Sequence, residues 1–272
     1  MARDEEPRLG GVLERMPAAA CGMPVDLLVV DDGSRDATPD LARAAGATVI
    51  SHERSRGLGA ALRTGLETAR DQGYAAAVYL DGDGEYDPAE LARVLDPVAR
   101  GRADYVLGSR FLGHRDGMTW HRTLANRAAT ALLATLMETV LSDGQTGYRA
   151  LSATALSRFR IAHDYNYAQV LTLSLWGAGI DPVEVPITYS RRTSGSSFVR
   201  YPEYFARVVP AVWREWRSSR RTRATSPTAM APASQNGHAL PSSNNGSRSV
   251  SGPNGASGRP DTKAPPPSRA SR

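Results

Sequence analysis

The apolar run Val78-Tyr79-Leu80 ends in Asp81-Gly82-Asp83-Gly84-Glu85. In extended backbone the side chains of residues i, i+2 and i+4 project to the same side. Read that way, Asp81, Asp83 and Glu85 converge on one point at the carboxyl end of a strand. Crowded carboxylates repel one another and attract a hard divalent cation with a preference for oxygen ligands. Strand carboxyl ends are also where open α/β sheets bind their ligands. A solvated acidic turn is the alternative, and Pro88 suits a turn.

Other segments repeat the pattern of a strand ending in polar residues. Val25–Val30 leads into Asp31-Asp32-Gly33-Ser34, where two acids suit a nucleotide base or ribose, or else a strand-to-helix turn with Ser34 or Asp36 as its cap. Asp104–Ser109 leads into Arg110, whose planar fork suits a phosphate or a surface ion pair. Ser142–Arg149 is polar and glycine-rich, and Asp143 and Arg149 line a cleft, pair with each other or cap a helix. Arg191–Ser197 is rich in donors and reads as a phosphate-binding loop or an exposed basic linker. Arg56-Gly57-Leu58-Gly59 lacks the third glycine of a dinucleotide loop and reads as close helix packing. His163, beside Asp164, reads as a helix-start residue.

The elements that must position these residues alternate. Strands are expected near 25–30, 48–51, 75–80, 104–109 and 183–189. Helices are expected near 36–45, 57–72, 88–100, 119–141, 164–177 and 202–217. Strands separated by helices of this length argue for an α/β fold with a mostly parallel sheet flanked by helices. Beyond residue 218 the chain is mostly Ser, Pro, Asn, Gly and Ala, and disorder is expected. The expected organisation is thus a catalytic domain over 1–201, a basic amphipathic helix over 202–217 and a tail over 218–272.

The chain has 272 residues and a formal net charge of +5. The tail from residue 218 carries +7, which leaves −2 on residues 1–217, so the body is not a basic nucleic-acid-binding surface. The only lysine is Lys263, in the tail, which removes a P-loop lysine or a lysine Schiff base from the folded part. A single cysteine, Cys21, leaves no internal disulfide, and a reducing cytosol is the expected setting. No signal peptide is read at the charged N-terminus, and no stretch approaches the roughly 20 apolar residues of a membrane span.

Taken in order, Val30–Ser34, Asp81–Glu85, Gly108-Ser109-Arg110, Asp143 with Gly147-Tyr148-Arg149, and Arg192 with Gly195 and Ser197 resemble family 2 glycosyltransferases of the GT-A fold. The likeness is strongest to dolichyl- or polyprenyl-phosphate sugar synthases and spans residues 2 to about 200. The resemblance implies an inverting enzyme that moves a sugar from a GDP- or UDP-sugar to a polyprenyl phosphate. It implies that Asp31 and Asp32 meet the nucleotide base and that Asp81 meets the ribose or metal. Asp83 becomes the principal ligand of Mg²⁺ or Mn²⁺, with Glu85 near it. Arg110, Arg149 and Arg192 hold phosphates. Asp143 is the candidate base for a hydroxyl acceptor, or a positioner of Arg149 if the acceptor is a phosphate.

Three departures accompany the resemblance. The family opens with an apolar strand ending in a Pro-x-x-Asn-Glu-like segment. Here only Ala2-Arg3-Asp4-Glu5-Glu6 matches its end, which places Glu5 at the nucleotide pocket and leaves the strand itself missing. Phe198 stands where a lysine is usual. No transmembrane pair follows the catalytic domain, and the tryptophan-bearing helix 202–217 either rests on a membrane surface or packs on the domain. The expected location is cytoplasmic, at the inner face of the plasma membrane. The competing readings are a catalytically impaired nucleotide-sugar-binding protein and a sugar-phosphate nucleotidyltransferase. The absence of lysine from the body argues against the latter.

Overall fold

Val29, Val30 and the strand residues Tyr105–Leu107 are buried, so the apolar runs lie inside as expected and carry the polar residues that follow them to one edge. The computed structural model describes residues 1–162, 164, 167–191 and 201–225. In chain order the elements are α1 (Glu6–Glu14), the antiparallel pair β1 (Ala19–Ala20) and β2 (Met23–Pro24), β3 (Leu28–Asp31), α2 (Thr38–Ala44), β4 (Thr48–Ser51), α3 (Leu58–Asp71) and β5 (Ala76–Tyr79). A 3-10 turn (Pro88–Glu90) then runs into α4 (Leu91–Ala99), followed by β6 (Tyr105–Ser109), β7 (Arg115–Asp116), α5 (Trp120–Met137) and β8 (Arg149–Ser152). The last are α6 (Ala153–Arg158), α7 (Ala168–Gly177), β9 (Val183–Pro186), β10 (Tyr189–Ser190) and α8 (Tyr201–Thr225).

β3 pairs in parallel with β4, and a four-stranded sheet runs β5-β8-β6-β9. β6 and β9 are parallel, whereas β8 is antiparallel to both of its neighbours. The sequence reading has no strand at β8. Its Arg149-Ala150-Leu151 is wholly buried, and an arginine with an alanine carries little strand propensity. Met1 and Ala2 lie between β3 and the turn after β5. Ala2 donates to the Val30 carbonyl at 3.0 Å and accepts from the Asp32 amide at 3.0 Å, while the Gly82 amide donates to the Met1 carbonyl at 3.1 Å. Among the described residues, this two-residue contact bridges β3 to the turn after β5.

Most expected helices form within a few residues of their reading. α5 stops at Met137 rather than 141 because Glu138 turns left-handed (φ 53°). α1 forms without a clear sequence signal, since Gly10 and Gly11 both disfavour a helix. α8 extends to Thr225, past the expected limit at 217, because its polar end packs. Ser219 is buried against Gly177, and Arg223 donates to the Trp176 carbonyl at 2.8 Å and pairs with Asp181 at 3.0 Å. The described part of α8 thus belongs to the same compact unit as the sheet. The expectation of disorder in the rest of the tail falls outside the described residues.

Candidate active site

The acids after β5 are not extended. β5 ends at Tyr79, and residues 82–85 form a turn with Gly84 at φ 76°, a conformation that glycine adopts readily. The three acids therefore stand on a turn and not along one face of a strand. Asp83 is buried and its Oδ1 accepts the Glu85 amide at 3.0 Å. Asp81 is half-buried and lies directly against Gly147, where any Cβ would collide with its Oδ2. Glu85 serves a different partner. Arg122, in the first turns of α5, grips it with both guanidinium nitrogens at 2.9 Å, and the Tyr189 hydroxyl donates to it at 3.0 Å. This corrects the expectation of Glu85 as a metal ligand. Arg122 gave no sequence signal, because it meets Glu85 only through the fold, 37 residues away.

Three other expected roles are reassigned by the geometry. Asp143, wholly buried, takes Arg110 Nε at 2.6 Å, Arg110 Nη2 at 2.8 Å, the Arg110 amide at 3.1 Å and the Gln145 amide at 3.2 Å. Its four lone pairs are occupied, so in this structure it serves as the counter-ion of Arg110 and has none left to take a proton. Arg149 pairs with neither. It sits opposite Tyr79 in the β5–β8 ladder and is wholly buried. It donates to the carbonyls of Thr146, Ala168 and Gly144 and to the hydroxyls of Tyr105 and Thr172. The rings of Tyr105 and Tyr167 flank the same guanidinium at 6.0 and 5.6 Å. It therefore ties β8 to α7 rather than holding a ligand phosphate.

Asp32 is likewise fully engaged. It accepts from His52 at 2.7 Å, Ser55 at 2.8 Å, and the amides of Arg56 at 2.8 Å and Gly57 at 2.9 Å. Burial works against its ionisation, but these four donors together outweigh burial and hold the carboxyl below its ordinary value. It fixes the loop 52–57 beside the sheet edge and has no acceptor left for a base. Asp31 is buried and accepts the Ser34 amide at 3.0 Å, closing the turn after β3. Glu5 stands at the position before α1 without a side-chain capping bond, pairs with Arg8, and donates its amide to Thr38 at 2.8 Å. Arg192, Gly195, Ser197, Phe198 and His163 lie outside the described residues.

A second tyrosine group packs beneath the acidic turn. The Gly147 amide donates to the Tyr86 hydroxyl at 2.8 Å, and the Tyr86 ring meets those of Tyr148 and Tyr189 edge-on. Burial pushes the Tyr86 hydroxyl up to about 12 against the opposing pull of Arg110, so it stays protonated at neutral pH. The buried amino group of Met1 also lies in the field of Asp81, Asp83 and Glu5, with burial lowering its pKa more than the acids raise it.

Two carboxylates at one turn fit a divalent cation that shares its remaining coordination with a ligand. Among the described residues, no three of His, Cys, Asp and Glu form a metal-binding group by themselves. A shallow hollow between α4 and β9, lined by Cys21, Arg93, Asp96 and Val185, lies on other elements, and its Arg100 and Arg102 are already held by Asp96.

With this geometry in place, the sequence profile of Glycosyl transferase family 2 matches residues 2–160. The chain belongs to glycosyl transferase family 2. This glycosyltransferase is 35% identical over 185 residues to the polyprenol monophosphomannose synthase of Mycolicibacterium smegmatis, covering 64% of this chain and 69% of that one. It is 32% identical over 183 residues to the undecaprenyl-phosphate mannosyltransferase of Micrococcus luteus, covering 63% and 74%. Glucosyl-3-phosphoglycerate synthase from Mycobacterium tuberculosis, solved with Mn²⁺, UDP and glucosyl-3-phosphoglycerate, superposes with a TM-score of 0.59 at 20% identity, over 80% of this chain and 77% of that one. That likeness establishes the α/β GT-A fold of the glycosyltransferase. Among the described residues, none of its helices is long and apolar enough to cross a membrane.

Proposed function

We propose that this glycosyltransferase moves a sugar, with inversion, from a GDP- or UDP-sugar to a polyprenyl or dolichyl phosphate, and that Asp81 and Asp83 would hold a Mg²⁺ or Mn²⁺ ion supplying charge neutralisation for the donor diphosphate. The observation that carries the acceptor class is the locked Asp143–Arg110 pair. A hydroxyl acceptor needs a base to take its proton, and the residue expected to serve has every lone pair filled. A phosphate monoester needs none, because its second pKa is about 6 and it is largely ionised at neutral pH. The names of the polyprenol and undecaprenyl-phosphate relatives point to the same acceptor class.

In the proposed reaction an acceptor phosphate oxygen attacks the anomeric carbon opposite the leaving group, and the sugar–phosphate bond breaks toward the nucleoside diphosphate. A divalent cation at this site would supply charge neutralisation on the departing diphosphate. Asp81 and Asp83 hold that site at the edge of the sheet. Gly147 leaves room for Asp81, and the Arg122–Glu85 pair fixes the far side of the turn.

The test is transfer from GDP-mannose and UDP-glucose to a short-chain, water-soluble polyprenyl phosphate with Mn²⁺. The glycosylated phosphate is the expected product, and Asp83→Asn should lower the rate roughly a hundredfold or more. A protein that binds donor with Mn²⁺ in calorimetry but transfers to no acceptor would instead be the impaired binding protein. Equal transfer to the matching free polyprenol would overturn the phosphate reading.

A further inference from the structure

α5 buries Thr130, Leu133 and Met137 and turns a different stripe outward. Trp120 is 77% exposed, Leu124 61% and Leu132 52%, with exposed Ala128 between them at the same four-residue spacing. Residues four apart share a helix face. α8 leaves Val209 and Trp213 outward at 53% and 52%. The two helices meet where the Trp216 indole donates to the Leu136 carbonyl at 2.9 Å. Leu132 lies one turn before Leu136, and the Trp213 ring lies 4.9 Å from that of Trp216. The two outward sets therefore adjoin at this junction.

Charge accompanies the apolar strip. α5 carries the exposed Arg127 and no acid, its Arg122 being held by Glu85. Outward on α8 are Arg214, Arg217, Arg220 and Arg221, and Arg220 lies over the Trp216 ring at 5.4 Å. The only acid in the described part of α8 past residue 207 is Glu215, which is half-buried and bonded to Ser219. An apolar face bearing tryptophans beside arginines matches an anionic lipid surface, where indoles settle at the headgroup level and arginines meet lipid phosphates. A second copy of the chain is disfavoured, since it would set arginines against arginines.

The strip also begins at the site. Arg122 grips Glu85, two residues from Asp83, so the first turns of α5 stand beside the acidic turn. We propose that the outward faces of α5 and α8 dock on an anionic bilayer and bring the acidic turn to the membrane surface, where an embedded acceptor presents its phosphate. Its purpose rests on the acceptor class proposed above, but its test does not.

The full-length protein is mixed with vesicles of phosphatidylcholine alone or with phosphatidylglycerol added, and binding is read by sedimentation. Tryptophan quenching by brominated lipid reports burial of the strip directly. Preferential binding to the anionic vesicles with quenching is expected. Trp120→Glu with Leu124→Glu, and separately Trp213→Glu, should each lower binding about tenfold or more. Arg217→Gln with Arg221→Gln should lower binding to anionic vesicles about thirtyfold and leave the neutral ones unaffected. If the α5 and Trp213 variants bind like the parent, the basic tail or another surface makes the contact and the inference is overturned. It is equally overturned if no vesicle is bound, which would leave the strip to a protein partner. The short-chain acceptor assay separates the two readings. Variants that keep soluble transfer but lose transfer to vesicle-embedded acceptor support docking. A parent protein that binds vesicles but uses no polyprenyl phosphate keeps the docking surface and loses the acceptor class.

Discussion

Asp143 and Arg110 bury a full charge pair beneath the acidic turn, and its energetics can be measured without knowing the substrate. Breaking a buried pair leaves an uncompensated ion, which costs about 3–5 kcal/mol. Asp143→Ala should lower unfolding stability by that amount in urea, whereas Asp143→Leu combined with Arg110→Met should lose much less. Asp32 yields a pH prediction. Its carboxyl is held below the ordinary 3.8, so its stabilisation is complete above that value and is lost as pH falls below it. Asp32→Asn should therefore destabilise the protein at neutral pH, with the gap to the parent narrowing in acid as both are unfolded by urea. The types of these residues were legible in the sequence, because acids and arginines after apolar runs mark a sheet edge. Their pairings were not. Arg110 meets Asp143 across 33 residues and Asp32 meets its loop across 20 to 25, and no local spacing records such contacts.

At the scale of elements, the acidic turn depends on a neighbouring strand that contributes no carboxylate to it. Gly147, just before β8, gives Asp81 its space, and an added Cβ would also press on Tyr86. Gly147→Ala should weaken nucleotide binding in the presence of Mn²⁺ by about tenfold or more, read by calorimetry, because Asp81 must move. The same titration on Gly73→Ala tests a glycine with open space around it and distant from the turn. That variant strains only its own positive φ and should leave the affinity unchanged. The parallel strands and their helices were readable because apolar runs alternate with helical periods. β8 escaped because its strand-forming logic is a buried arginine satisfied from α7. α1 escaped because two glycines interrupt it, and the end of α8 because small and basic residues form its packed side.

Over the whole molecule, the reaction should report the ionisation of its acceptor. With Asp143 locked, the acid limb of the rate profile should follow the acceptor phosphate near its pKa of about 6. The limb should shift when a more acidic acceptor phosphate is used and stay in place when the protein is varied at Tyr86. The fold and enzyme class were legible from ordered motifs distributed over much of the chain, which a family shares. The docking strip was not, because outward and inward apolar residues look alike until the packing of α5 is known.

The Arg122–Glu85 strut has a thermodynamic consequence. One end belongs to the turn that carries Asp83 and the other to the helix that carries Trp120 and Leu124. If a bound nucleotide tightens that strut and so raises affinity for vesicles by some factor, vesicles must raise affinity for the nucleotide by the same factor. Arg122→Gln would uncouple the two equilibria, and a closed binding cycle measured on both proteins would give the coupling as a single number.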